Sequence, residues 1–231
     1  MYAYIVLAMP REYYEESYHY EQDAQGIDKR RFERFLGCLT ARPGARYLDI
    51  GCGVGWTLSW AKTVGLQAFG IDFSYRALKL GHERVDRKHL FVQGDGMSLP
   101  FDDESFELIS ALGVVEHFPS PERGIAEIAR VCRKGGEAVL VVPNSMGILG
   151  KARVYAGTEQ PDEFRFSCQE WRAMIDRAGM SVVNIRKDYG PRILKDYQPL
   201  KILVRSLLKS TVFLPYYFTY QFIFCCRKDF C

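Results

Sequence analysis

The chain has 231 residues, enough for one domain with a well-buried core and few for two domains. Hydrophobic residues make up 48% of it and charged residues 26%, the ordinary composition of a globular protein. The formal net charge of +3 is too small to indicate a nucleic-acid-binding protein on its own.

Short apolar runs alternate with segments of helical periodicity over the first two thirds of the chain. The apolar runs predict strands at 45–50, 67–72, 89–95, 106–112 and 137–144. Helices are predicted at 58–65, 74–85 and 121–136, and the last of these opens with a proline and ends at two glycines. Strands that alternate with helices in this way indicate a parallel sheet covered on both faces.

The regular alternation ends after residue 144. We expect a lid insertion at 145–166, a helix at 168–179, a strand at 180–187, a second lid insertion at 189–215 and a last strand at 220–228. The whole chain, 1–231, is therefore predicted to form a single domain, with an N-terminal helical cap at 1–43 and a core at 44–144.

The second insertion contains a segment, 199–209, with leucines at helical spacing on one side. A separate basic stripe is formed by Lys201, Arg205 and Lys209, so the segment predicts an amphipathic basic helix. Such a helix either rests peripherally on an anionic membrane surface or packs its leucines onto the same domain. We favour the second alternative.

Seven cysteines form no CxxC pair and have no histidine partner at zinc spacing. The odd count argues against a disulfide framework and the spacing argues against a structural metal. We therefore expect no metal site and a reducing, cytoplasmic setting. The opening residues MYAYIVLAMP lack a basic flank and a small-residue cleavage site, so we expect no signal peptide.

The stretch LDIGCGVGW, 48–56, places glycines at 51, 53 and 55 between a predicted strand and a helix. Strand, glycine-rich turn and helix is the arrangement that brings a ligand against bare backbone. Glycine allows a positive φ and removes the Cβ atom that would block the approach, and the helix start presents free N–H groups. The loop favours a polar or anionic ligand group, and a tight turn without a ligand is the alternative.

Two acidic residues end the next predicted strands. Asp72, at the end of the second strand, is placed to accept both hydroxyls of a ribose, as the acid of dinucleotide folds does. Asp95 ends the third strand beside Met97, which suits the amino group and the face of an adenine. Both acids could instead be ordinary turn residues, but ligands bind at the carboxyl edge of such sheets, which favours the binding interpretation.

Five motifs occur in one order along residues 44–187: YLDIGCGVG, GIDFS, GDGMSLPFDDESFELIS, VVEHF and RVCRKGGEAVLVVPN. Together they resemble the class I S-adenosylmethionine-dependent methyltransferases, in particular the small-molecule branch akin to the quinone-biosynthesis enzymes. An NAD dehydrogenase would show G-x-G-x-x-G, and Trp56 stands where its third glycine would be. The resemblance implies a Rossmann-like, seven-stranded, mostly parallel α/β sheet with an antiparallel last strand and helices on both faces.

The resemblance also implies the cofactor, S-adenosyl-L-methionine, and the residues that bind it. These residues would be Asp49, Gly51, Cys52 and Gly53 at the methionine end, Asp72 at the ribose, Phe73 against the adenine, Asp95, Gly96 and Met97 around the base, and Ala111, Leu112 and Gly113 near the sulfonium.

The sulfonium is already a strong methyl donor, so the protein has to hold the acceptor in line and exclude water. A hydroxyl or phenol acceptor also needs a general base. His117, in VVEHF just beyond the fourth strand, is the candidate catalytic residue. An equally weighted alternative is that His117 only caps a helix or packs against the loop.

The expected function is direct in-line methyl transfer to a small, lipophilic acceptor. The chain has no [DN]-P-P-[FYW] sequence and no Pro-Cys nucleophile, and we expect no nucleic-acid partner. Two alternatives stay open: a protein that binds the cofactor without turnover, and a methyltransferase acting on protein or RNA. The sequence indicates neither the methylated atom nor the oligomeric state.

Overall fold

The computed structural model describes residues 29–84, 90–144, 164, 166–188, 219 and 221–230. Their seven strands are β1 Arg46–Ile50, β2 Gln67–Asp72, β3 Leu90–Gln93, β4 Phe106–Leu112, β5 Cys132–Pro143, β6 Met180–Asp188 and β7 Gln221–Lys228. Their helices are α1 Lys29–Leu36, α2 Trp56–Thr63, α3 Tyr75–Arg84, α4 Pro121–Val131 and α5 Cys168–Arg177, with a 3-10 turn at Val115–His117.

The strands form one sheet in the order β3-β2-β1-β4-β5-β7-β6. The strands β1 to β5 pair in parallel, and β7 lies antiparallel between β5 and β6. This confirms the predicted seven-stranded, mostly parallel sheet with an antiparallel last strand. The carboxyl ends of β1, β2, β3 and β4 consequently meet at one edge of the sheet.

Helices cover both faces of the sheet, as predicted. On one face the buried apolar side chains come from α4 and α5, among them Ile125, Ile128, Trp171 and Ile175. On the other face they come from α1, α2 and α3, among them Phe35, Leu36, Leu58, Ala61 and Leu78. Each helix therefore buries one apolar stripe against strands that are apolar on both sides.

Helix α4 begins where the sequence predicts, because Ser120 caps it and Pro121 takes its first position. Its predicted end at residue 136 is wrong. The helix ends at Val131, and Cys132 already pairs with Phe106 of β4. Phe106 pairs with Cys132 and Leu108 already pairs with Glu137, so the pairing register shifts between them. Residues 133–136, which the sequence predicts to be helical, therefore lie in a bulge of β5.

One disulfide, Cys38–Cys225, joins the segment after α1 to β7, which makes the expectation of unpaired cysteines wrong for this pair. The two residues lie 187 positions apart in sequence, and only the docking of α1 on the sheet brings them together. The free cysteines among the described residues are Cys52, Cys132, Cys168 and Cys226.

Several predicted segments lie outside the described residues: the cap before residue 29, nearly all of the 145–166 lid, and the 189–215 insertion with its basic helix. No helix in the described ranges is long and apolar enough to cross a bilayer. Within those same ranges, no group of three or more His, Cys, Asp or Glu side chains is placed to hold a metal ion.

Candidate active site

The glycine-rich loop joins β1 to α2 at the carboxyl edge of the sheet. Gly51, Gly53 and Gly55 have φ values of 70°, 50° and 78°, in the left-handed region that favours glycine. The amides of Gly51 and Cys52 both donate to the carbonyl of Ile71, at 2.8 and 3.1 Å. The loop is thereby tied to β2, and α2 starts at Trp56.

The space left by the missing side chains differs between the glycines. A Cβ atom on Gly51 would lie 2.6 Å from Cγ2 of Val114, so this glycine makes room for the protein's own side chain. A Cβ atom on Gly53 would meet no protein atom within 4 Å. Gly53 is therefore the position where a ligand can approach the backbone of the loop.

The carboxylate of Asp72, at the end of β2, is hydrogen-bonded to this loop. Its Oδ2 accepts from the amide of Gly53 at 2.7 Å, and its Oδ1 accepts from the amide of Ser74 at 2.9 Å. A carboxylate accepts hydrogen bonds at about four positions, which is the chemistry that ribose hydroxyls need. Asp72 thus both fixes Gly53 and offers acceptors beside it.

Phe73 follows Asp72 and is exposed over 42% of its surface. Its carbonyl accepts from the side chain of Gln93 at 3.2 Å, and the amide of Gly94 donates to the carbonyl of Asp72 at 3.0 Å. These bonds bring the ends of β2 and β3 together, so an apolar ring surface stands beside the Asp72 carboxylate.

The predicted base-binding segment follows β3 in a tight turn. The exposed carboxylate of Asp95 accepts from the amide of Met97 at 2.8 Å. Gly96 is tightly packed, because an added Cβ atom would lie 3.2 Å from Cγ2 of Ile50 and closer still to the ring of Phe118. Asp95 therefore presents its carboxylate at the edge, while Gly96 and the half-buried side chain of Met97 pack against the core.

The end of β4 lies next to the glycine loop, because Ala111 pairs with Ile50 of β1. Gly113 then turns with a φ of 71°, and its amide donates to the carbonyl of Val141 at 2.8 Å. Ala111 is fully buried, whereas Leu112 and Gly113 are half-buried. The structure thus places the predicted floor residues directly beside the loop.

Two of the predicted binding residues point their side chains beneath the loop. Asp49 is buried, and its two oxygens accept hydrogen bonds from the hydroxyls of Thr57 and Ser110. Burial raises the pKa of Asp49 to about 7. The thiol of Cys52 is also buried, against Gly70, and burial raises its pKa well above the usual value.

His117 lies in the 3-10 turn behind Gly113, and its side chain is only 14% exposed. Burial lowers the pKa of His117 to about 4, so the imidazole is neutral near physiological pH. Its Nε2 lies 4.0 Å from Oε1 of the buried Glu116. The same Glu116 oxygen is 3.7 Å from the position of a Cβ atom on Gly113. Glu116 thus belongs to the floor of the site, and sequence reasoning missed it although it precedes His117.

Arg130 was also missed, because it is an arginine on an amphipathic helix like many solvated ones. Its guanidinium donates to the carbonyls of Leu99 and Phe101 at 3.0 and 2.8 Å, and pairs with Glu127 and Asp103, each at 2.7 Å. These bonds fix the segment that follows the predicted base-binding turn.

The residues at this edge have the chemistry that a nucleoside requires. Gly53 offers open backbone, Asp72 offers carboxylate acceptors, and Phe73 offers an exposed ring. These are the elements that hold a ribose and a base at the carboxyl edge of an α/β sheet.

Comparison with known proteins agrees with a nucleoside-binding site at this edge. A family model described as a methyltransferase domain matches residues 48–140. The phosphatidylethanolamine N-methyltransferase of Cereibacter sphaeroides is 40% identical over 104 residues, which cover 42% of this chain and 50% of that protein. The 27-O-demethylrifamycin SV methyltransferase of Amycolatopsis mediterranei is 31% identical over 161 residues, which cover 65% and 59%. The chain thus spans about half to three fifths of the length of these relatives.

Solved structures share the fold. An S-adenosylmethionine-dependent methyltransferase from Mesorhizobium loti has a TM-score of 0.68 at 15% identity, covering 87% of this chain and 99% of that one. The [4+2]-cyclase SpnF has a TM-score of 0.65 at 20% identity, covering 87% and 80%. At these identities the likeness concerns the fold. The family model over residues 48–140, the relatives and the fold neighbours all support one class, the class I S-adenosylmethionine-dependent methyltransferases.

Proposed function

We propose that this chain transfers the methyl group of S-adenosylmethionine directly, in line, to a small lipophilic acceptor. The observation that supports this best is the hydrogen bond between the Gly53 amide and Asp72, which places open backbone beside a carboxylate. The cofactor, when bound, supplies an activated methyl group on a sulfonium with a neutral leaving group. The protein therefore has to bind the acceptor, orient it in line with the methyl group and exclude water, and it does not need to form a covalent intermediate.

The predicted binding residues divide this work along the sheet edge. Asp72 would bind the ribose hydroxyls, Phe73 would cover the adenine, and Asp95 with Met97 would enclose the base. Gly51 and Gly53 shape the loop at the methionine end, where Asp49 and Cys52 support it from beneath. Ala111, Leu112 and Gly113 form the floor on which the acceptor meets the methyl group, and Gly96 packs behind the base.

His117 is proposed as the general base for a hydroxyl or phenol acceptor. Its lowered pKa keeps the imidazole neutral and able to accept a proton at physiological pH, although a pKa of about 4 makes it a weak base. The adjacent carboxyl group of Glu116, 4.0 Å from Nε2, would stabilise the imidazolium that forms. An amine or carbon acceptor would need this base less.

The lipophilic acceptor is supported by the relatives' names. The two relatives above are named for phosphatidylethanolamine and 27-O-demethylrifamycin SV. A third, from Staphylococcus carnosus and 34% identical over 112 residues, is named a demethylmenaquinone methyltransferase, so all three names refer to small molecules. The predicted lids at 145–166 and 189–215, whose aromatic and apolar residues suit such an acceptor, would cover it. For the predicted basic helix at 199–209, we keep the prediction that it packs on the domain, with contact to an anionic membrane surface as the alternative.

A labelled-methyl transfer assay tests this proposal. The wild-type chain and His117→Gln are incubated with methyl-labelled S-adenosylmethionine and three acceptors: a prenylated phenol, an ethanolamine phospholipid and a macrocyclic alcohol. Label in the phenol or the alcohol, strongly reduced in His117→Gln, supports the assignment. Cofactor binding without transfer to any acceptor would favour a binding protein without turnover, and label in added RNA or protein would contradict the small-molecule acceptor.

A further inference from the structure

A chain of buried hydroxyl groups surrounds one carboxylate beneath the glycine loop. Asp49 of β1 pairs in register with Ser110 of β4, and Thr57 stands in the first turn of α2. The Ser110 hydroxyl donates to Oδ1 of Asp49 and the Thr57 hydroxyl donates to Oδ2. When Asp49 is ionised, Ser110 gives its hydrogen to Asp49, so the Tyr47 hydroxyl, 2.5 Å from Ser110 Oγ, donates to Ser110. Because every hydroxyl of the cluster can either donate or accept, the cluster can satisfy both the ionised and the protonated form of Asp49.

The charge of this carboxylate has no cationic partner in the described part of the chain. Asp49 is 3% exposed, and no arginine, lysine or histidine of that part forms an ion pair with it. The ionisable groups that act on it are Tyr47 of β1, Cys52 of the loop and the Asp72 carboxylate of β2. Burial raises the pKa of both Tyr47 and Cys52, which keeps these groups neutral, and Asp72 disfavours a second negative charge nearby.

We propose that Asp49 is a positioning and specificity residue that discriminates the methyl donor from its product, which lacks the sulfonium charge, by ionising when the donor occupies the site. This rests on the proposed function. Asp49 lies two residues before Gly51, beneath the methionine end of the site. Ala111, which would lie near the sulfonium, pairs with Ile50, the residue after Asp49, so a bound donor would bring a positive charge close to this carboxylate. Asp49 would then release its proton to solvent. With the product bound that charge would be absent, so Asp49 would keep its proton and the product would be held less tightly.

The inference requires that the preference for the donor depends on pH. S-adenosylmethionine and S-adenosylhomocysteine carry the same amino and carboxyl groups, so the ratio of their dissociation constants cancels the titration of those groups. We expect the wild-type preference for the donor to fall about five- to tenfold between about pH 8 and pH 6, the range set by one coupled proton. Calorimetry in two buffers of different ionisation enthalpy measures the released proton directly.

Variants of the cluster give a matched test. In Asp49→Asn the donor-to-product ratio should not change with pH, and proton release on donor binding should disappear. Thr57→Val removes one hydroxyl donor, so the pH at which the ratio changes should rise. Thr63→Val is the control on the same helix, because the Thr63 hydroxyl bonds only the carbonyl of Trp60 at 2.7 Å and should leave the pH profile unchanged.

The outcomes separate this inference from the proposed function. A wild-type ratio that is independent of pH, or a pH dependence that persists unchanged in Asp49→Asn, overturns the role of Asp49. If Asp49→Asn does not fold, an unshifted profile in Thr57→Val overturns it. Absence of binding of either ligand to the wild type at every pH overturns the proposed function and this inference together.

Discussion

The backbone amide of Gly53 donates a 2.7 Å hydrogen bond to Oδ2 of Asp72, which joins the loop after β1 to the acid that ends β2. The two features that suggested a nucleoside site in the sequence are thus one structural unit. We therefore propose two roles for Asp72 in cofactor binding: its hydrogen bond fixes the loop conformation, and its carboxylate accepts hydrogen bonds from the ligand.

Replacing Asp72 by asparagine should weaken S-adenosylmethionine binding by about ten- to a hundredfold, the range expected for lost hydrogen bonds to a charged group. Calorimetry measures the dissociation constant. Asp102→Asn, which removes a charge from an exposed loop residue outside the site, is the control and should bind normally. Equal affinity of Asp72→Asn and the wild type would contradict the role of Asp72.

Alanine at Gly51 should mainly reduce stability, whereas alanine at Gly53 should mainly reduce cofactor binding. Gly51→Ala forces a Cβ atom against Val114 at a φ of 70°, so the free energy of unfolding should fall by about 2–4 kcal/mol. Gly53→Ala has open space and should cost about 1–2 kcal/mol for the left-handed backbone, yet weaken cofactor binding. Denaturant unfolding and calorimetry separate the two. Val114→Ala should partly restore the stability of Gly51→Ala, and its failure to do so would contradict the contact.

The buried His117 should make the fold sensitive to acid. Its folded pKa of about 4 lies below the ordinary value of 6.5, so protonation favours the unfolded state as the pH falls from about 6.5 to 4. The loss should reach up to about 3 kcal/mol and be absent in His117→Gln. Unfolding curves at several pH values measure it, and identical pH profiles for the two proteins would contradict the burial of a neutral imidazole.

Asp49 should act in the opposite direction. The pKa of Asp49 is about 7 in the folded protein and 3.8 ordinarily, so the folded state holds the proton more tightly than the unfolded state does. The stability that Asp49 contributes is therefore complete below pH 3.8 and is lost as the pH rises from 3.8 to about 7. The stability of Asp49→Asn relative to the wild type should therefore increase with pH, by up to about 4 kcal/mol. Unfolding of the cofactor-free proteins measures this. A relative stability that stays constant with pH would show that Asp49 is not a strained buried carboxylate.

The bond between Cys38 and Cys225 should be found in protein purified without reductant. Peptide mapping by mass spectrometry should show the linked pair, and a reductant should lower the melting temperature, because the bond closes a loop of 187 residues. Cys38→Ser should melt at one temperature with and without the reductant. Two free thiols at these positions in the oxidised protein would contradict the pairing.

The order of strands and helices could be predicted because the central strands β1, β4 and β5 are apolar enough to be buried on both faces. The boundary between α4 and β5 could not, because the apolar spacing continues through Val131 and Cys132. What ends the helix is the pairing of Cys132 with Phe106, a contact on a neighbouring strand that helical periodicity does not reveal. The Cys38–Cys225 bond escaped prediction for the same reason.

The residues on the sheet edge could be predicted because the ends of parallel strands meet there, as Asp72 and Asp95 illustrate. The surroundings of Asp49 could not. Ser110 lies 61 residues away and reaches Asp49 only through the register of β1 and β4. Glu116 and Arg130 were missed because a lone charged residue gives no local signal of burial or of a loop contact.

Calorimetric titration of the wild-type chain with S-adenosylmethionine, and separately with NAD, is the decisive test of whether this sheet edge binds the methyl donor. We expect saturable binding of S-adenosylmethionine alone, one molecule per chain, and marked weakening in Asp72→Asn. Binding of NAD instead, or of neither ligand by a correctly folded chain, would contradict the assignment of this sheet edge to the methyl donor.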